Sequence, residues 1–162
     1  MNGLPEAPHT ATRAGDPARL IKGGWQLAGG HGAVDRARAV ADMHAFADAG
    51  ITAFDCADIY TGVEALIGEC AAERQARGRT PIRVHTKCVP DLALLPTLTP
   101  TDIRRTVDRS RERLMLPMID LVQFHWWDYA IPGMVRAAQT LAECQQDGWI
   151  RALGATNCDV AH

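Results

Sequence analysis

Polar, chemically active side chains stand at the ends of successive strand-length apolar runs, and this regularity limits the fold more than any other feature of the chain. Asp55, Lys87, His125 and the pair Thr156-Asn157 follow one another at separations of 32, 38 and 32 residues, each close to the roughly 30 or more residues of one βα unit. Between them lie longer segments with apolar residues at helical spacing. Such alternation indicates βα repeats around a parallel sheet. Parallel strands run the same way, so all four positions are carried to one rim.

The pattern predicts five strands and four helices. A first strand over Leu20 to Gly24 leads into a glycine-rich loop through Gly29, Gly30 and Gly32. Asp35 caps a helix on which Ala37, Val40, Ala41, Met43, Phe46 and Ala47 recur at helical spacing, and Gly50 ends it. The second strand is Thr52 to Ala57, and the second helix runs from about Val63 to Arg77, burying Leu66, Ile67 and Cys70 and stopping at Gly78. Gly68 in that helix costs roughly 1 kcal/mol relative to alanine, which close packing against a neighbour explains. The third strand is Ile82 to Lys87. Thr99 and Pro100 supply a cap and a first-turn proline for the third helix, with Ile103, Val107 and Leu114 inward. The fourth strand is Ile119 to His125, the fourth helix begins near Pro132, shows Val135, Ala138 and Leu141 at helical spacing and ends at Asp147-Gly148, and the fifth strand is Ile150 to Asn157. Residues 1–18 lack periodicity and are expected to be a flexible leader to a single domain over residues 19–162.

Two architectures use such repeats. A Rossmann sheet needs G-x-G-x-x-G in its first loop, and here Asp35 takes the place of the third glycine in the run Gly30-His31-Gly32 onward. In a (β/α)₈ barrel the active site is assembled at the C-terminal rim, where the four polar positions fall. The expectation is therefore an α/β fold of partial TIM-barrel type. Five strands leave such a barrel incomplete, with open edges at the first and last strands, so the chain is expected to need a homo-oligomer or a complementing C-terminal half.

With a net charge of −2 and no clustering of Lys and Arg, the chain offers no field for nucleic acid. It has neither a stretch near the roughly 18 apolar residues of a membrane span nor a secretory signal pattern, so a cytoplasmic protein with no membrane contact is expected. The five cysteines, Cys56, Cys70, Cys88, Cys144 and Cys158, form no CxxC pair and have no histidine at zinc-ligand spacing. They are read as reduced thiols, with no metal site. Cys88, beside Lys87, has the setting for a lowered thiol pKa. His31, His44 and His85 are read as structural, and Trp127 and Trp149 as packing residues.

The segment Phe54-Asp55-Cys56-Ala57-Asp58-Ile59-Tyr60, continuing to Glu64 and Ile67-Gly68, resembles the aldo-keto reductase motif that holds an aspartate and a tyrosine five residues apart. Three further segments follow in that family's order: Thr86-Lys87; Ser110 to Leu114, Asp120 and Leu121 with His125-Trp126; and Leu153-Gly154-Ala155-Thr156-Asn157. The resemblance implies an oxidoreductase that reduces an aldehyde or ketone with NADP(H), or alternatively NAD(H). It assigns Tyr60 as general acid, Lys87 and Asp55 as its tuning pair and His125 as the donor that orients the substrate oxygen. Thr156 and Asn157 match residues that bind the nicotinamide carboxamide, and Trp25 and Trp126 resemble walls of the substrate pocket.

The chemistry agrees with these residue types. Carbonyl reduction requires a hydride on carbon and an acid at the oxygen, which becomes an alkoxide as hydride arrives. A phenol is a reluctant acid near neutral pH, and an adjacent ammonium makes it a better one by stabilising the phenolate. In the family the adenine end of the cofactor is held by residues after later strands, so this chain alone is expected to bind cofactor weakly and to be weak or inactive. The alternative is a non-catalytic binding or regulatory subunit with the same fold.

Overall fold

The computed structural model describes residues 20–30 and 32–158; the expected leader lies outside these. The strands are β1 (Ile21–Gly23), β2 (Ala53–Asp55), β3 (Arg83–Cys88), β4 (Ile119–Phe124) and β5 (Ile150–Ala155), and the α-helices are α1 (Arg36–Asp48), α2 (Val63–Ala76), α3 (Pro100–Leu114) and α4 (Met134–Gln146). All strands are parallel and their spatial order is their order in sequence. Each helix packs against the next. A doubly wound sheet would reverse direction and lay a later strand beyond β1; consecutive staves without reversal are the arrangement of a barrel. β1 and β5 each have one neighbour, as the five-strand reading requires.

Local signals set the helix ends. Asp35 Oδ1 accepts from the Arg38 backbone N–H at 3.0 Å, leaving one fewer unsatisfied donor in the first turn of α1. Thr99 and Asp102 form a reciprocal capping box at α3, with Pro100 in its first turn. Between β3 and α3, Asp91 caps a 3-10 helix over Leu92–Thr97. That element carries no helical periodicity and contains Pro96, so pattern alone does not reveal it.

The core lies between sheet and helices. Phe54, Val84, Val122 and Ile150 from the strands meet Ile67, Ile103, Val107, Leu114 and Leu141 from the helices. Two helix faces differ from expectation. On α1 the buried residues are Ala39, Val40, Met43, His44 and Ala47, with Ala37 and Ala41 exposed. On α4, Val135 is 65 % exposed while Ala137, Thr140, Leu141 and Cys144 are buried. Val135 lies two residues before Ala137, about half a turn around the helix, so burying both on one narrow face is geometrically excluded. Ala137, Leu141 and Cys144 define the stripe instead.

Buried charge ties the layers together. Arg74 on α2 is 1 % exposed; its Nε donates to the Thr80 carbonyl at 2.7 Å and its Nη1 to Asp48 Oδ1 at 2.9 Å. Among the described residues no helix is long and apolar enough to cross a membrane.

Candidate active site

The shared strand direction brings Asp55, Lys87, His125 and Thr156-Asn157 to one end of the sheet. Asp55 closes β2, Lys87 is the penultimate residue of β3, His125 follows β4 and Thr156 follows β5. The ladder extends one step past β5, where the Thr156 N–H donates to the Phe124 carbonyl at 3.0 Å. Asn157 then turns into the left-handed region at φ 58°, ending the strand earlier than its apolar pattern implied.

Lys87 Nζ donates to Asp55 Oδ2 and to the Cys56 carbonyl, each at 2.7 Å. Tyr60 arrives from a tight turn in which its N–H donates to the Ala57 carbonyl at 2.9 Å. This turn lays the Tyr60 ring beside the ammonium, with Lys87 Nζ 5.3 Å from the ring centroid. His125 is buried. Its Nδ1 meets Asn157 Nδ2 at 3.1 Å, Trp127 stacks edge-on at 4.4 Å, and Nε2 has no hydrogen-bond partner among the described residues. Burial holds the His125 imidazole below its ordinary pKa, opposed by a backbone hydrogen bond with Thr156. The neutral ring is favoured. The Asn157 amide meets the ring at Nδ1, where the donor and acceptor roles follow the ring's tautomer.

Tyr60, Lys87, His125, Thr156 and Asn157 all line one cavity of about 200 Å³. The tryptophans are placed differently from expectation. Trp126 is 4 % exposed and belongs to the core, its Nε1 donating to the Ile131 carbonyl at 3.3 Å. Trp127 lines the cavity, its indole fixed by a 2.8 Å bond to the Pro90 carbonyl. Adjacent residues leaving a strand point to opposite sides, so one tryptophan of the pair takes each side. Trp25 is exposed on a 3-10 turn (Trp25–Ala28) and is not part of the cavity wall. Cys88 also departs from expectation: its side chain is buried among apolar groups rather than beside the Lys87 amine, and burial pushes the thiol's pKa up.

Several supporting residues escaped the strand-end reading. Gln123 Nε2 donates to Asp55 Oδ1 at 3.1 Å. Glu64, 1 % exposed, accepts from the Thr86 hydroxyl at 2.8 Å and from Arg113 Nη1 at 3.2 Å, while Arg113 also donates to the Asp58 carbonyl at 3.0 Å. That network fastens the Asp55-to-Tyr60 segment to β3 and α3. The signal for Glu64 was its place in the motif, and its role became legible with its partners.

Asp58 joins the two loops that flank the cavity, its Oδ1 accepting from the Val89 N–H at 3.1 Å. Burial is the main cause that pushes its carboxyl up to about 7, with Glu64 adding to the rise and the Val89 N–H and Arg109 opposing it. Because the folded protein holds this proton more tightly than the unfolded chain, the stability it contributes is complete below about pH 4 and is lost as pH rises toward 7. Asp58→Asn keeps an acceptor without the buried charge. It is expected to be more stable than wild type at pH 8, by on the order of 2 kcal/mol, and to match it at about pH 3.5. An equal difference at both pH values in thermal melts contradicts this.

A sequentially ordered parallel sheet with a tyrosine, a lysine, an aspartate and a histidine gathered on its C-terminal rim defines a βα-barrel protein with a rim site. The chain belongs to the aldo/keto reductase family, whose sequence model matches residues 19–162. It is 30 % identical over 166 residues to the NADH-specific methylglyoxal reductase of Escherichia coli, covering 90 % of this chain and 50 % of that protein. It is 36 % identical over 146 residues to the 6-dehydroglucose reductase of Novosphingobium aromaticivorans, covering 83 % of this chain and 46 % of that one. Among solved structures, an aldo-keto reductase from Klebsiella pneumoniae in complex with NADPH superposes with a TM-score of 0.67 at 26 % identity, covering 90 % of this chain and 47 % of the other. The chain thus spans about half the length of the curated relatives it matches.

Proposed function

We propose that the chain carries the reducing site of an NAD(P)H-dependent aldo-keto reductase, in which an aldehyde or ketone is converted to an alcohol with Tyr60 as general acid. The observation that carries this reading is the placement of Lys87: pinned by Asp55, its ammonium lies against the Tyr60 ring in the same cavity onto which His125 opens.

The residues present fit the nicotinamide end of such a cofactor. A carboxamide needs both a donor and an acceptor; the Thr156 hydroxyl and the Asn157 amide offer both at the cavity wall. The unpartnered His125 Nε2 is a polar atom that a substrate oxygen would satisfy. Bound nicotinamide would supply the hydride. In the tautomer with its proton on Nε2, His125 would donate to the carbonyl oxygen, fixing its position. As negative charge develops on that oxygen, the Tyr60 hydroxyl transfers its proton there, and the ammonium of Lys87 stabilises the phenolate that remains. Asp55 keeps Lys87 at its post.

Ile59, Val89 and Trp127 give the cavity an apolar side, which suits a small aldehyde or a sugar-derived carbonyl. The names of the two reductase relatives support that class. NADP(H) is the proposed cofactor, with NAD(H) as the alternative supported by the NADH-specific relative. The open edges at β1 and β5 support assembly with a second copy or a complementing half.

Because the described residues provide for the nicotinamide end alone, the 162-residue chain by itself is expected to bind NADPH weakly. Titrating NADPH while following tryptophan and cofactor fluorescence checks this: a slope that has not saturated at low micromolar cofactor agrees, and saturation there contradicts it.

A further inference from the structure

Gln123 reaches the charged pair from β4, the strand that also carries His125 to the rim. It stands directly across the ladder from Lys87. Lys87 takes Oδ2 of Asp55 at 2.7 Å, and Gln123 takes Oδ1 at 3.1 Å. Both oxygens of one carboxylate are therefore held, each by a different strand. An ionised carboxylate only accepts, so the amide must present its N–H to it. This settles which way the Gln123 amide is turned.

We infer that Gln123 is a positioning residue of the reducing site, which fixes the plane of the Asp55 carboxylate and thereby the place of the Lys87 ammonium against Tyr60. The inference rests on the proposed role of Tyr60 and deepens it. An aspartate held at one oxygen keeps a broad torsion about its carboxylate bond, and a lysine on a flexible stem follows the oxygen it is bonded to. A second, independent donor removes that freedom. Gly154 on β5 lies beside the Gln123 side chain, where an added Cβ would meet its Cγ at an ordinary contact distance of 3.5 Å. A methionine would fill the same volume without donating, which separates positioning from simple packing.

The chain has two lysines, Lys22 and Lys87, so reductive methylation followed by mass spectrometry reads Lys87 directly, with Lys22 as internal reference. In the wild type Lys87, whose side chain is 15 % exposed, is expected to react more slowly than Lys22. In Gln123→Met the Lys87 rate relative to Lys22 is expected to rise about fivefold, as its charge-assisted bond to Asp55 loosens, and Gln123→Met is expected to add nothing in an Asp55→Asn background. In turnover, kcat is expected to fall about tenfold with KM unchanged, the signature of a lost contribution to the transition state. Should the methionine variant not fold, the Gln123 side-chain amide resonance in the wild type is expected to move on Asp55→Asn, and a stationary resonance overturns the inference. An unchanged Lys87 rate in folded Gln123→Met also overturns it while leaving the role of Tyr60 standing. Full turnover in Tyr60→Phe overturns the reading beneath it, whatever the labelling shows.

Discussion

Tyr60→Phe is expected to lower carbonyl reduction by about 10²–10⁴-fold in the assembly that turns over, with cofactor affinity unchanged. The substitution removes one oxygen and its proton, leaving the ring, its packing and the adjacent Lys87 in place. Nothing else described in the cavity is as well placed to protonate the nascent alkoxide. Burial disfavours the doubly protonated His125 ring that would make it a ready acid. The Lys87 amine is already committed to Asp55 Oδ2 and the Cys56 carbonyl. Steady-state rates with an aldehyde at saturating NADPH, paired with a cofactor titration, check both halves. Wild-type turnover in the variant contradicts the role of the phenol, and lost cofactor binding would mean that the ring instead supports the nicotinamide site.

Gly68→Ala is expected to destabilise the fold by about 3 kcal/mol, at the upper end of what overpacking costs. Where Gly68 passes α3, a Cβ would stand 2.6 Å from the Arg113 carbonyl oxygen and 2.7 Å from the Leu114 carbonyl carbon. Those are backbone atoms that no rotamer change can move, so α2 and α3 would have to separate. Alanine recovers about 1 kcal/mol of helix propensity, which the separation exceeds. The consequence reaches the site, because α2 carries Glu64 and α3 carries Arg113, whose ion pair helps hold the Asp55-to-Tyr60 segment. Chemical denaturation measures the effect; a variant as stable as wild type would show that the two helices are not in close contact.

The parts of this molecule legible in sequence are those set by periodicity and by local signals. The sequential parallel sheet follows from strand-end residues one βα unit apart, and the α1 and α3 starts follow from Asp35 and from Thr99-Pro100. Membership of the family was legible from motifs spread over Asp55 to Asn157. What escaped depends on direction at short range. Trp126 and Trp127 are chemically alike neighbours, and which one faces the cavity is decided by the turn after β4. Val135 and Ala37 recur at helical spacing with their neighbours yet are exposed, because frequent alanines let more than one stripe satisfy the same spacing. Cys88 follows Lys87 in sequence, yet alternation along β3 sends its thiol to the opposite face. Gln123 and Asp58 are ordinary polar residues until their partners, Asp55 and Val89, are seen to come from other strands and loops.

Nuclear Overhauser contacts of the Tyr60 ring test the central claim most directly, since Tyr60 and Tyr129 are the only two tyrosines to assign. With Lys87 Nζ 5.3 Å from the ring centroid, the Tyr60 ring protons are expected to cross-relax with the terminal methylenes of Lys87, and to lose those contacts when Asp55 is replaced by alanine. A folded chain in which the Tyr60 ring shows no contact with Lys87 would contradict the account.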